Sequence, residues 1–297
     1  MKIVVLKFGG TSVADVPHIK KIALKIKLEV ELGYKVITVV SAMSGVTNNL
    51  INLVTKTSDT PPYSEYDTVL STGEQVTSAL LAIALDELKI KARSWLGWQV
   101  PIVTDNTYGK SAIEEIKTEN ILNDLEINQV AIVSGFQGVS NDNRITTLGR
   151  GGSDTTAVAM AASFLADRCD IYTDVDGVYT TDPRIVKSAK KLDMITYEEM
   201  LELASQGAKV LQTRSVALAM KYGVKLRVLS SFEKLPGTSI IKEENNMEKS
   251  EISGIAHSLN EAKITLSGVP DQPGQAADIF GTLAQHSINV DMIVQSS

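Results

Sequence analysis

Three short loops hold the residues whose types and spacing could do chemistry: KFGGTS (Lys7 to Ser12), GRGGSD (Gly149 to Asp154) and TDVDGVYTTDPR (Thr173 to Arg184). Each sets glycines beside hydroxyl or charged side chains, after an apolar run or before a helical pattern. Glycine lets main-chain N–H groups approach phosphate oxygens, and a helix N-terminus adds a favourable partial charge. Lys7, at the end of the first apolar run, could place an ammonium against transferring phosphates. A lone Gly-Gly turn is ordinarily just a tight turn. Three such loops in one chain point to anion binding.

Other chemistries fail on spacing. No GxxxxGK[ST] occurs, and Gly149-Arg150-Gly151-Gly152 has Asp154 where a dinucleotide fingerprint needs its third glycine. Setting Gly177 as the sixth residue of a calcium loop would put Tyr172 first and Pro183 twelfth, so Asp174-Val175-Asp176-Gly177 is not an EF-hand. His18, His257 and His286 are scattered, without a second ligand at metal spacing, which also disfavours a Ser-His-Asp hydrolase. The shortage of histidine is informative. Phosphoryl transfer to an alcohol benefits from a base, whereas a carboxylate acceptor, with a pKa near ~4, is already ionised at neutral pH. Such an enzyme needs positioning and charge neutralisation. Lys7, Arg150 and Lys209 suit anions, Asp154 can orient cations, and Glu74 suits an ammonium.

The elements that must position these groups alternate strand and helix. Lys2 to Phe8, Lys35 to Val40, Gln129 to Ser134, Asp170 to Thr173 and Lys225 to Leu229 read as strands, the first three nearly continuously apolar. Helices are expected from Pro17 to Leu32 with Gly33 beyond, and over Asp67–Leu88, Ile113–Leu125, Thr155–Ala166, Tyr197–Ser205 and Thr213–Tyr222. Ser153 or Asp154 could cap the Ala-rich helix, and Gly135 to Gly152 reads as turn-rich. Strand, helix, strand with buried strands predicts right-handed parallel crossovers and an α/β sandwich, whose ligands gather beyond the strands' carboxyl ends. Residues 242–250 (KEENNMEKS) read as a linker. Beyond it come a strand at Lys263–Leu266, the turn VPDQPG, a helix to about His286 and a strand at Ile288–Val294.

Bulk composition sets the limits. The 297 residues carry a formal net charge of −6, with 43% hydrophobic and 22% charged residues. That is ordinary for a globular chain with a sizeable core, and it supplies no general attraction to nucleic acid or an anionic membrane. The single cysteine, Cys169, suits a reducing, cytoplasmic setting. The apolar run near Leu80–Leu85 stops at Asp86, short of a bilayer span.

KFGGTSVAD, VVSAMSGVTN (Val39 to Asn48), STGEQ (Ser71 to Gln75), GFQGV followed by TTLGRGGSDTTA, and TDVDGVYTTDPR together resemble the aspartate kinases, a branch of the amino-acid kinase fold. The likeness runs to about Thr238. It implies a three-layer sandwich with a mainly parallel central sheet, and transfer of the γ-phosphoryl group of ATP to the β-carboxylate of L-aspartate. That reaction opens lysine, threonine and methionine biosynthesis. Lys7, Asp154 and Lys209 would be catalytic, with Asp154 holding Lys7. ATP would meet Lys7, Phe8, Gly9, Gly10, Thr173, Asp174, Tyr179, Asp182, Arg184 and Lys209, and Mg²⁺ would be carried by ATP with no protein metal site. L-aspartate would meet Ser41, Thr47, Glu74, Arg150, Gly151, Gly152 and Ser153, with Arg150 as a bidentate fork. On the residues alone Glu74 reads equally as a solvated helix position, and Ser41, Thr47 and Asp154 as caps. Another kinase of this fold, acting on acetylglutamate, glutamate, carbamate or UMP, and a non-catalytic sensor of nucleotide and amino acid are the alternatives. A dinucleotide-dependent dehydrogenase is more distant.

The resemblance divides the chain into a catalytic domain (1–241), the linker (242–250) and an incomplete ACT-like α+β segment (251–297). In it, Asp271, Gln275, Ala276, Asn289 and Asp291 would face an inhibitory amino acid, lysine or threonine, between two such modules. Aspartate kinases usually carry two ACT modules, and this chain ends before completing one. The expectation is a truncated form, a shortened gene product or a subunit completed by another chain, in a homo- or hetero-oligomer formed through this segment.

Overall fold

Strands covered by helices on both faces read as unbroken apolar runs, and such runs build the centre of this fold. The computed structural model describes residues 1–208, 210–242, 254–257, 262–270, 272–285, 288, 290 and 293–294. The chain forms two compact units, Met1–His257 and Ser258–Ser297. The first holds β1 (Ile3–Phe8), α1 (Val16–Glu31), β2 (Lys35–Val40), α2 (Val46–Thr57), α3 (Tyr63–Leu70), α4 (Thr72–Glu87), β3 (Ala92–Trp95), β4 (Ile102–Thr104), β5 (Ile113–Ile116), α5 (Glu119–Ile127), β6 (Val130–Ser134), β7 (Gln137–Ser140), β8 (Ile145–Thr147), α6 (Gly152–Ser163), β9 (Arg168–Thr173), β10 (Met194–Thr196), α7 (Tyr197–Ser205), α8 (Thr213–Tyr222), β11 (Leu226–Ser230) and β12 (Thr238–Ile241).

Eight strands make one sheet in the order β10-β12-β11-β9-β1-β2-β6-β3, parallel throughout except where β11 meets β12. Successive side chains of β1 alternate between two cores. Ile3 and Val5 join the core shared with α6, α7 and α8, while Val4, Leu6 and Phe8 join the one beneath α1 and α4. Three layers result, as expected of the α/β sandwich. On α1, Asp15 caps the first turn by accepting the His18 N–H at 2.9 Å, Pro17 follows, and Ile19, Ile22 and Ile26 turn inward. Each buried isoleucine contributes roughly 1.5–3 kcal/mol.

Several sequence expectations are corrected. The helix expected over Asp67–Leu88 starts earlier and is two helices, α3 and α4, parted at Ser71. Together Tyr63–Glu87 spans 25 residues and matches a bilayer span in length and composition, yet half of its most apolar stretch is buried in the fold. Ile113–Leu125 is not one helix: Ile113–Ile116 is strand β5 and the helix begins at Glu119. Long-range pairing with β4, across a bulge at Val103/Thr104, overrides the local helical spacing. The turn-rich Gly135–Gly152 contains the hairpin β7/β8, part of a second sheet ordered β5-β4-β7-β8. Neither Ser153 nor Asp154 caps α6. Gly151 is its N-cap, in the left-handed region at φ 68°, and Asp154 turns instead to Lys7.

Residues 254–257 pack with the first unit, since the Ile255 N–H donates to the Thr180 carbonyl at 2.7 Å and Ala256 lies against its core. Residues 243–250 of the expected linker lie outside the described residues. The second unit contains α9 (Gln275–Gln285). His286, the expected end of that helix, is outside the described residues, and among the described residues of 263–266 and 288–294 no strand pairing forms.

Candidate active site

Lys7 pairs across the sheet with Val39 of β2 and Ile171 of β9, one residue before the carboxyl ends of β1 and β2. It sits on the face toward α6, where Asp154 occupies the first turn. Its Nζ lies 2.5 Å from Asp154 Oδ1, and both side chains are 11% exposed. Beyond this pair the strand-end loops surround a cleft of about 730 Å³. The loops are tied to one another. The Ser41 N–H donates to the Phe8 carbonyl at 3.1 Å, Gly135 to Val40 at 3.0 Å, and Ser231 to Thr173 at 2.8 Å. The Ser12 and Ser231 hydroxyls meet at 2.5 Å.

Glu74 enters from the first turn of α4. Gly73 allows this approach, because a Cβ there would come within 2.8 Å of the Ala42 Cβ. Glu74 is 3% exposed; Oε1 accepts the Ala42 N–H at 3.0 Å, and Oε2 is buried without a partner among the described residues. Burial pushes its carboxyl up to about 7, against the pull of the Ala42 N–H. A buried carboxylate left half-satisfied on a cleft wall is suited to a cation.

The Gly149–Gly152 turn brings Arg150 to the wall of the same cleft, exposed to solvent. At Gly151 a Cβ would come within 2.0 Å of the Gln212 side chain, in addition to the left-handed φ of 68°. Only glycine fits. Behind this turn Asp67 and Arg214 hold main chain. Asp67 accepts from Gly109 and Thr147, and Arg214 donates to the Leu148 and Ser111 carbonyls.

Of the residues expected at the site, Lys7, Gly10, Ser41, Thr47, Glu74, Arg150, Gly151, Gly152, Ser153, Asp154 and Asp174 share the cleft wall. Gly9 is adjacent, since a Cβ on it would lie 3.3 Å from Lys7 Nζ. Phe8 is fully buried, stacked on Tyr172 with centroids 4.8 Å apart, so only its main chain reaches this end of the sheet. Thr173, Tyr179, Asp182 and Arg184 lie off the wall. The Thr173 hydroxyl donates to Asp174 at 3.0 Å, Tyr179 to Asp176 at 3.2 Å, and Arg184 forks onto Asp182 at 2.8 Å. Arg184 holds the Asp182 carboxyl down to about 2. Lys209, Asp271, Asn289 and Asp291 are outside the described residues, while Gln275 and Ala276 lie on α9. Sequence reasoning missed Tyr66, Phe136 and Thr147 on the wall, and Asp67 and Arg214 behind it. Asp67, among Ser64, Glu65 and Thr68 in its own helix, carried no local signal of its burial.

A second groove of about 600 Å³, between Arg93, Trp95, Trp98 and Asp124, lies at the edge strand β3 and has no glycine in its lining.

Comparison with known proteins agrees with this geometry. The amino acid kinase family model matches residues 2–230 and the ACT domain model residues 264–297. The aspartate kinase of Pseudomonas putida is 54% identical over 297 residues, covering all of this chain and 72% of its own. The crystal structure of aspartate kinase from Synechocystis is 41% identical with a TM-score of 0.73, over 99% of this chain; this chain spans 50% of that one. E. coli aspartokinase III with aspartate and ADP is 30% identical, TM-score 0.79, over 99% of this chain and 77% of its own. The same enzyme with lysine and aspartate is 29% identical, TM-score 0.81, over 100% and 77%. A likeness that spans the kinase sheet, the cleft and the C-terminal segment together places the chain in the amino acid kinase family, within its aspartate kinase branch.

Proposed function

We propose that the cleft transfers the γ-phosphoryl group of ATP to the β-carboxylate of L-aspartate, giving 4-phospho-L-aspartate. The observation that carries this reading is Glu74: a buried carboxylate with one oxygen unpartnered, in the same cleft as the Lys7–Asp154 pair. A substrate ammonium would complete Glu74, and Arg150 of the same cleft would take a substrate carboxylate in a bidentate fork. Ser41, Thr47, Gly151, Gly152 and Ser153 offer hydroxyl and main-chain donors around the acceptor. Because that acceptor is already ionised, no general base is required. Lys7, aimed by Asp154, would neutralise charge that builds on the transferred group, and the N-terminus of α6 would add to it.

The nucleotide would approach over Gly9, Gly10 and the Thr173–Arg184 loop, with Asp174 on the cleft wall and Lys209 reaching the phosphates. The aspartate- and ADP-bound E. coli relative supports this side of the reading. Mg²⁺ would arrive on the phosphates, and the oxygens of Asp154 and Asp174 are of the hard kind it accepts. When bound, it would withdraw charge from the phosphoryl oxygens.

We further propose a catalytic domain over 1–241, a linker at 242–250 and an ACT-like segment at 251–297 that self-associates in a homo- or hetero-oligomer. Asp271, Gln275, Ala276, Asn289 and Asp291 would face lysine or threonine there, a reading supported by the ACT match and the lysine-bound E. coli relative. The buried, unpaired Cys169 fits the cytoplasm.

The test is a hydroxamate assay for aspartyl phosphate with Mg-ATP, with and without lysine and threonine. Aspartate-dependent product supports the reaction, and suppression by either amino acid supports the effector site. Preference for acetylglutamate or UMP would overturn the substrate, and ATP binding without product would favour a sensor.

A further inference from the structure

Two charged side chains of opposite sign, neither on the cleft wall, hold the same pair of loop segments. Asp67 on α3 is fully buried. Its Oδ2 accepts the Gly109 N–H at 2.9 Å and the Thr147 N–H at 2.8 Å, while Oδ1 accepts the Thr147 hydroxyl at 2.7 Å. Arg214, in the first turn of α8, donates to the Leu148 carbonyl and to the Ser111 carbonyl, each at 2.9 Å. Between them the Ser111 N–H donates to the Thr147 carbonyl at 2.9 Å. One carboxylate therefore joins the two segments through their N–H groups, and one guanidinium joins them through their carbonyls.

We propose that Asp67 and Arg214 are positioning residues for acceptor recognition, bracing segments 109–111 and 147–149 so that Arg150 is set for the substrate. The inference rests on the aspartate kinase reading above and adds residues that touch no substrate. Arg150 is a long, exposed side chain, and its fork discriminates only as well as its main chain is fixed. The segment leading to it has no slack: at Gly149 (φ 75°) a Cβ would lie 3.2 Å from the Gly109 carbonyl oxygen. A bridging geometry also explains the residue types. A carboxylate can accept from three donors at once, and a guanidinium can hold two carbonyls in one plane, which an ammonium cannot copy. Burial pushes the Asp67 carboxyl up and its three donors pull it down, so the fold maintains a buried acid here through the very bonds that make the brace.

The test compares the full chain with Asp67→Asn and Arg214→Lys. Kinetics with aspartate, ATP and glutamate as alternative acceptor would be set beside calorimetric aspartate binding and thermal melts. Expected are aspartate KM and Kd higher by ~10-fold in D67N and ~5-fold in R214K, with kcat and ATP KM within about twofold. The preference for aspartate over glutamate should fall in both. Arg214 is only partly buried, so R214K decides the matter if D67N fails to fold. Aspartate KM and Kd unchanged in both variants would overturn the brace. So would aspartate and ATP constants rising together with a lowered melting temperature, the mark of a merely structural role. A parent chain that binds aspartate without phosphorylating it would sink the reaction while binding still tested the brace; one that binds no aspartate would sink both.

Discussion

The central sheet carries two clusters of buried charge, side by side and on opposite faces. Leu6 pairs with Asp170 in the β1–β9 register, and Lys7 is the next residue. Under α1, Asp170 is completely buried and saturated: Arg227 forks onto it with two contacts at 2.7 Å, Arg168 reaches it at 3.0 Å, and Arg168 also meets Glu29 at 2.6 Å. On the other face Lys7 has Asp154 alone as ion-pair partner among the described residues, and at the cleft Glu74, which comes from α4, keeps one oxygen unpartnered. Burial is equal in kind, but satisfaction is not. A buried charge completed by its own chain fixes architecture; one left incomplete at a cleft has its complement in the ligand.

The largest expected effect separates the two clusters outright. Lys7→Ala should cut kcat by ~10³-fold or more, because charge on the transferred phosphoryl loses its fixed cation. Folding should persist, since Asp154 stands on a wall that water reaches. Near-normal turnover would remove Lys7 from the mechanism. Glu74→Gln should raise the aspartate KM by ~10²-fold, the ammonium having lost its counter-charge. The same change should stabilise the ligand-free protein at pH 8. The Glu74 carboxyl rises from 4.5 to about 7 on folding, so the native state holds its proton more tightly than the unfolded chain. That contribution is complete below about pH 4.5 and lost as pH climbs through 7, a swing of about 3 kcal/mol. Denaturant melts of both proteins at pH 5 and pH 8 measure it; a destabilised E74Q at pH 8 would place Glu74 with the architectural cluster.

The same titration predicts a pH dependence for substrate. Below about pH 7 Glu74 is protonated in the free enzyme, and a neutral carboxyl cannot pair with an ammonium. Aspartate KM should therefore rise by up to about tenfold per pH unit as pH falls below 7. E74Q should flatten that slope, and a wild-type profile flat from pH 6 to 8 would show that aspartate does not bind through Glu74. Asp170→Asn should do the reverse of all this. Removing the shared anion leaves Arg227 without its partner and Arg168 with Glu29 alone, costing about 3 kcal/mol in a denaturant melt. The kcat and both KM values of the folded fraction should stay within about twofold.

The sequence made one of these clusters legible and hid the other. Lys7, Gly9 and Gly10 announce themselves because glycines next to a lysine at the end of an apolar run have few other uses. Arg168 and Asp170 lie two residues apart on β9, but Arg227 is on β11, and the cluster closes only when β9 pairs with β11. The same limit governs the fold. β1, β2 and β6 were readable as apolar runs, whereas β5 is Ile-Glu-Glu-Ile followed by helix-forming residues, and only pairing with β4 makes it a strand. Asp67 was invisible for the same reason, its donors at Gly109 and Thr147 being 42 and 80 residues away. Local pattern reports what a residue buries against, and not which distant partner completes it.

The smallest effect belongs to a charge pair that is satisfied but not buried. Arg184 forks onto Asp182 in the Thr173–Arg184 loop, and its side chain is 81% exposed. An exposed pair holds little energy and can be exchanged for a ligand's phosphate at small cost. Arg184→Ala should raise the ATP KM by only ~3-fold while leaving aspartate KM and the melting temperature unchanged. Arg184 keeps the Asp182 carboxyl near about 2, so the pair does not titrate between pH 6 and 9. Any pH dependence of the ATP KM in that window must then come from the phosphates or from other groups, and R184A should leave its shape intact. An unchanged ATP KM would take Arg184 out of the nucleotide site. A rise of ~100-fold would show that an exposed, self-satisfied charge can matter as much as a buried, incomplete one, and would break the distinction between the two kinds of cluster.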